Sequence, residues 1–344
     1  MDGPHLVALS IFVSYFILIA VLFRLIVKSL PVPRQNDAIR NRSRTFRVLT
    51  CLSFGHTWFY MFKYMRWSFV NYESSVAVHD PRVLYRITDW LLNTGLFEEA
   101  WALVCNGPMN WWWSEQLCLF TVGAWTIFIA IEGHKYGVKH VWAYMLLGQV
   151  VAISVASNLF YLALLGAMQG RRPLHSPRAS PLLWISVLLS LATVGMSPYT
   201  SDKTFLPNLL TMHALLVIPL AFSPLHFPAY SIRVSTLASL VTVMALGLHL
   251  RTTLFALLSL PSPSRQSPLD FLVSAWEVLH SHPAQSSIGW DVIWTTVSFF
   301  LWAILSRPSM GNLGRLRGLF LFLLAWPGTL LGSVGFIAPY VLQG

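Results

Sequence analysis

Charge is what this chain has least of. Only 10% of its 344 residues are Asp, Glu, Lys or Arg, while 55% are hydrophobic. Its apolar stretches are too many and too long for one water-soluble core, which excludes an ordinary soluble enzyme and leaves a polytopic membrane protein. Cysteine is almost missing as well. Cys51, Cys105 and Cys118 make no CxxC pair and no even-numbered framework, so neither a disulfide scaffold nor a zinc site is supported. Acids are scarcer than bases, 13 against 23, giving a formal charge of +10. That excess lies largely in short loops, above all Lys28 to Arg47, which also holds Arg34, Arg40, Arg42 and Arg44. Basic loops beside apolar helices anchor to anionic lipid and set orientation, so the expected partner is membrane lipid and not nucleic acid.

The familiar catalytic signatures are absent too. There is no DDxxD-like cluster to hold magnesium and a diphosphate, and no DxDD run of a soluble protonating cyclase. His134 with His140 and His280 with His282 lack the repeated HxxxH boxes of a di-iron membrane oxygenase. No HExxH, Gly-rich phosphate loop or GxSxG elbow occurs. Acid–base chemistry without metal, nucleotide or other cofactor is what remains.

What is present is a succession of long apolar runs. Spans are expected near residues 6–28, 47–69, 110–132, 141–168, 181–198, 206–225, 232–260, 289–306 and 318–342, seven to nine in all. The first carries Arg24 and Lys28 at its far end and no A-x-A-like cleavage site, so it reads as a retained helix and not a signal peptide. The fifth run ends at Ser197-Pro198 and the sixth contains Pro207 and Pro219, so these two could form one irregular or re-entrant unit. Residues 83–104 mix Leu84, Ile87, Leu91 and Leu92 with Asp89, Glu98 and Glu99, the pattern of an interfacial amphipathic helix. The positive-inside rule puts the Lys28 to Arg47 loop in the cytosol, but Arg171, Arg172, Arg178, Arg307, Arg315 and Arg317 fall on the opposite side in a nine-helix count. The expected fold is an all-α transmembrane bundle, one membrane domain over residues 1–344 without a soluble domain.

Three acids stand in or at the ends of these runs. A charge in lipid costs about 2.5 to 3.5 kcal/mol on insertion scales, so such residues face a protein interior and mark function. Glu115 follows Trp111-Trp112-Trp113-Ser114, and helical spacing sets Trp111 and Trp112 on its face. Those tryptophans also suit an interfacial aromatic belt, and Glu115 could pair with Lys63 or Arg66. Glu132 precedes Gly133-His134-Lys135, where a solvated helix end competes with a pocket. Asp291 shares a helical face with Thr295, Ser298 and Trp302, a stripe fit to line a cavity; an acid at a helix N-terminus is the competing reading. His56, Tyr60, Lys63 and Trp67 share another face, on which Lys63 and Arg66 could simply snorkel to headgroups. Asn158, His213 and His249 are isolated polar groups that interhelical hydrogen bonds would also explain.

A carboxylic acid among indoles and aliphatics resists ionisation and can act as a general acid, and aromatic faces stabilise the carbocation it would generate. The motifs Trp113-Ser114-Glu115-Gln116, Glu132-Gly133-His134 and Gly289-Trp290-Asp291-Val292-Ile293-Trp294-Thr295-Thr296-Val297-Ser298 resemble the fungal integral-membrane terpene cyclases of meroterpenoid pathways, most closely the ascochlorin, ascofuranone and macrophorin branch. The chain is longer than the better-known cyclases of this kind. The resemblance implies residence in the endoplasmic reticulum. It also implies proton-initiated closure of a farnesyl or epoxyfarnesyl chain on a lipophilic prenylated substrate, and no obligate protein partner is evident from the sequence. Glu115, Asp291 and Glu132 would be the catalytic acids, and His56, Tyr60, Trp112, Asn158, Trp294 and Trp302 would shape the pocket. Two other classes use similar residues: a wax-synthase-type acyltransferase with His213 or His249 as base, although no Arg-Trp-His block is present, and a non-enzymatic carrier or receptor for a lipophilic ligand.

Overall fold

The computed structural model describes residues 2–31, 37–77, 80–168, 178–222, 230–261, 267–305 and 332–342, with the single positions 320, 323 and 326. It is an all-α membrane bundle. Six described helices are long and apolar enough to cross a bilayer: Gly3–Ser29, Pro108–Tyr136, Pro181–Tyr199, Asp202–Ala221, Val234–Ser259 and Pro283–Leu305. Arg34, Arg171, Arg172, Arg307, Arg315, Arg317 and nearly all of the expected 318–342 span outside 332–342 lie beyond the described residues.

The first helix, α1 (Gly3–Ser29), starts with proline in its first turn and ends with Lys28 in its last, as the helix dipole favours. Next, α2 (Asp37–Ser75) is far longer than the 47–69 expected, because its polar ends continue the helix beyond the apolar middle. The single amphipathic helix expected at 83–104 is instead two, α3 (Val83–Asn93) and α4 (Leu96–Cys105), parted at Thr94-Gly95. Gly107, at a φ of +95°, then turns the chain into α5 (Pro108–Leu119). A π-helical turn over Phe120–Trp125 leads into α6 (Thr126–Tyr136), where Thr126 Oγ1 donates to the carbonyl of Thr121, five residues back, at 2.7 Å. This rod sits at the centre of the molecule. Trp111, Trp112 and Trp113 are all buried, which overturns the aromatic-belt reading.

The run expected as one span at 141–168 is broken. Two helices, α7 (Val141–Val150) and α8 (Ile153–Ala167), meet at Val151-Ala152. After a two-residue strand β1 (Arg178–Ala179) come α9 (Pro181–Met196) and α10 (Asp202–Ala221), joined through a single 3-10 turn at Ser197–Tyr199. They are two helices packed on each other as a hairpin, each long and apolar enough to cross a bilayer; α10 runs through Pro207 and Pro219 and begins with a capping box in which Thr204 Oγ1 accepts the N–H of Ser201. Strand β2 (Ile232–Arg233) pairs antiparallel with β1 and ties the starts of α9 and α11 (Val234–Ser259) together. A helix the apolar runs did not indicate, α12 (Pro268–Ser281), precedes α13 (Pro283–Leu305), and α14 (Val334–Leu342) closes the described chain. Helix α13 packs on α2, α8 and α5, which places it beside the break between α7 and α8.

Candidate functional site

The break in the α7–α8 run is stabilised from outside that run. A helix that starts inside a membrane protein leaves N–H groups that no water can satisfy. Asp291 of α13 takes two of them: Oδ2 accepts the N–H of Ile153 and Oδ1 that of Ser154, both at 2.9 Å. On the other side of the break, Tyr15 of α1 donates its hydroxyl to the carbonyl of Val150 at 2.6 Å. Gly148 lets Ile153 fold back over α7: a Cβ there would lie 2.7 Å from Ile153 Cδ1, which would have to shift.

Beside the break lies a cavity of about 420 Å³ with mostly apolar walls. Its wall comprises the break itself, Cys118 and Thr121 from α5 and the π turn, Trp101 of α4, His213 of α10 and Asp291. Asp291 is 6% exposed, and among the described residues no basic side chain forms an ion pair with it. His213 Nδ1 lies 2.8 Å from the carbonyl of Leu209, an oxygen that can only accept, so Nδ1 carries the hydrogen and Nε2 is the basic nitrogen. Trp101 meets the His213 ring edge to face at 5.5 Å, and Gln149 donates to the His213 carbonyl at 3.3 Å. Thr121 and Val122 belong to the π turn, a feature that recurs at functional sites because it re-aims side chains.

Of the nine residues expected to form the cyclase site, Asp291 alone lines this cavity; His213, a candidate base of the acyltransferase alternative, lines it as well. Glu115 is fully buried in a different place. Its Oε1 accepts from Thr252 Oγ1 at 2.8 Å, His249 Nδ1 lies 3.9 Å from Oε2, and Arg251 Nη2 lies 3.8 Å from Oε1. Its basic neighbours are therefore on α11, not Lys63 or Arg66 of α2. Trp112 covers the same cluster, with its ring 6.1 Å from that of His249 and its N–H donated to Thr253. Glu132 pairs with Lys135 one helical turn on, at 3.0 Å, with both side chains about a quarter exposed: the partly solvated helix end.

The stripe of Asp291, Thr295, Ser298 and Trp302 runs along a helix seam and not along an open cavity wall. Asp291 touches α8 at its start, and Trp302 stacks on Tyr161 of α8 at 4.8 Å with the rings 6° from parallel. Ser154, Ser157 and Asn158 are buried on α8 beside it, and among the described residues the Asn158 amide has no hydrogen-bond partner. His56, Tyr60 and Trp294 gather elsewhere, on the flank of α2 and α13. There Trp294 Nε1 donates to His56 Nδ1 at 3.3 Å, and His56 lies 4.1 Å from the Trp290 ring and 5.6 Å from that of Tyr60. Sequence reasoning missed Tyr15, Trp101, Gln149 and Cys118 on the cavity wall and Thr252 and Arg251 beside Glu115. Each is an ordinary residue of its helix until the bundle assembles. Among the described residues no group of three or more His, Cys, Asp and Glu is placed to hold a metal ion.

The fold and its internal cavity define a polytopic α-helical protein of the membrane. The family described as "Protein of unknown function DUF2834" matches residues 98–165, about a fifth of the chain, running from the start of α4 to the end of α8. That stretch supplies the α4, α5 and α7–α8 parts of the cavity wall. No curated protein and no solved structure matches the chain.

Proposed function

We propose that this protein is a membrane-bound terpene cyclase of meroterpenoid biosynthesis, resident in the endoplasmic reticulum, that closes the prenyl chain of a lipophilic aromatic or quinone substrate. The observation that carries the reading is a buried carboxyl, Asp291, on the wall of an apolar cavity large enough for a small molecule. As an acid, Asp291 gives its proton to the epoxide oxygen or to the terminal alkene carbon. Epoxide opening or alkene protonation leaves a tertiary carbocation, which an internal alkene attacks with its π pair to form the ring C–C bond. Loss of a proton to the Asp291 carboxylate or to Nε2 of His213 ends the sequence, so the product is an isomer of the substrate. The N–H groups of Ile153 and Ser154 stabilise the carboxylate that proton transfer leaves behind. Trp101, Phe97 and Tyr15 border the same space, and their faces favour the cation by about 0.5 to 2 kcal/mol each. Glu115 and Glu132, outside this cavity wall, take no part in this scheme.

A second reading, a carrier for the same class of molecule, draws on the fact that both Asp291 oxygens already serve the start of α8. Microsomes carrying the protein and fed a farnesylated phenol and its terminal epoxide separate the two. Cyclic isomers that disappear when Leu209→Trp fills the cavity support the cyclase. Saturable binding without conversion supports the carrier.

A further inference from the structure

A second concavity lies on the outer surface, away from the cavity of the proposed reaction, where the uncharged stretch of α2 ends. From Val48 to Phe62 that helix carries no Asp, Glu, Lys or Arg; the run stops at Lys63, and Arg66 follows one turn later. Lys63, Arg66, Trp67, Asn71, Ser74 and Pro283 border a cleft of about 490 Å³ between the end of α2 and the start of α13. Among the described residues neither cation forms an ion pair. Lys63 Nζ is held 4.8 Å from the Phe59 ring and 5.6 Å from that of Tyr60, which fixes it at the edge of the cleft. Nearby acids are committed elsewhere: Glu73 pairs with Arg86, and Glu99 accepts from Tyr64 and Ser68.

Before these cations the flank of α2 is greasy and outward-facing, with Phe59 and Phe62 each more than half exposed, while Val70 borders the cleft itself. Two unpaired cations beside an exposed apolar strip match one amphiphile, a negative head joined to acyl chains. Arg offers a planar fork to phosphate oxygens and Lys a point charge, while Asn71 and Ser74 add polar groups at the rim. We propose that this cleft is a binding site for an anionic phospholipid, with Lys63 and Arg66 gripping its phosphate and its acyl chains lying along Phe59 and Phe62. The site does not depend on the proposed cyclase activity.

Native mass spectrometry of the purified full chain in neutral detergent tests it, with dioctanoyl phosphatidic acid, dioctanoyl phosphatidylcholine and inorganic phosphate as the three probes. One phosphatidic acid binds per chain, well ahead of phosphatidylcholine, and Lys63→Gln with Arg66→Gln weakens it roughly 30-fold, as expected for the loss of two headgroup contacts. The charge-preserving pair Lys63→Arg and Arg66→Lys keeps most of the affinity, which shows that the effect is not misfolding; Arg24→Gln on α1 leaves it unchanged. Equal binding of phosphatidylcholine, undiminished binding by the double Gln variant, or inorganic phosphate binding as tightly as the lipid would overturn the proposal.

Discussion

The carboxylate of Asp291 accepts the backbone N–H of Ser154 at 2.9 Å, across 137 residues of sequence, and so caps a helix that begins inside the bundle. The same side chain lines the cavity beside the α7–α8 break. Structure and proposed chemistry thus meet in one residue, and its substitutions separate them. Asp291→Ala leaves two buried N–H groups without acceptors and costs about 3 kcal/mol of stability. Asp291→Asn keeps one oxygen acceptor but turns an NH2 toward the other N–H, so it costs about half of that or a little more, still less than Ala. Thermal unfolding of the two variants in detergent checks the order.

Glu115 has the opposite profile. Removing it strands His249 and Arg251 beside a lost acceptor, so Glu115→Ala destabilises the protein by about 2 kcal/mol, whereas Glu115→Gln, which still accepts from Thr252, costs less. Cyclisation per folded molecule stays near wild type in Glu115→Gln. A loss of turnover without a loss of stability would move the proton donor from Asp291 to Glu115.

At Gly123, in the π turn, an added Cβ would lie 2.5 Å from Val241 Cγ1 of α11. Gly123→Ala therefore overpacks a buried contact and costs about 1 to 3 kcal/mol. Val241→Ala opens space for it, so the double variant is more stable than the sum of the two single changes predicts. A thermal-unfolding double-mutant cycle reads the coupling.

Between α12 and α13, burial pushes the His282 imidazole below its ordinary 6.5, against a smaller opposing pull from Glu99. Its Nδ1 accepts the N–H of Ala284 at 3.2 Å, a bond that a proton on that nitrogen would break. As pH falls through about 6.5 the unfolded chain takes up this proton before the folded one does. Stability from this group is complete above that value and declines below it. His282→Phe flattens that part of the stability–pH curve; an unchanged slope would show that another group sets it.

The helical, membrane-spanning character was legible because apolar runs and scarce charge are local properties. The same locality explains the misses. Nothing in Gln149-Val150-Val151-Ala152-Ile153 announces a break: it has no proline, and its cause is a carboxylate on α13. The periodicity of Asp291, Thr295, Ser298 and Trp302 correctly marked a buried face, but periodicity cannot tell a cavity from a partner helix, and α8 fills that side. Glu115 read as special because it is buried; its partners lie on α11, and only the packed bundle brings them to it. His56 and Trp294 did come together, as residues of one cluster, but on the flank of the bundle.

The central claim is that Asp291 donates the proton that starts ring closure, and its most direct test is the initial rate of cyclisation by microsomes with matched amounts of wild-type and Asp291→Asn protein, supplied with a farnesylated phenol and its terminal epoxide. Wild type converts at least one of them to a cyclic isomer, and Asp291→Asn is slower by roughly a hundredfold or more, the scale of a lost general acid. The same product from Asp291→Asn at a rate within tenfold of wild type, or both substrates recovered unchanged from wild type, would contradict it.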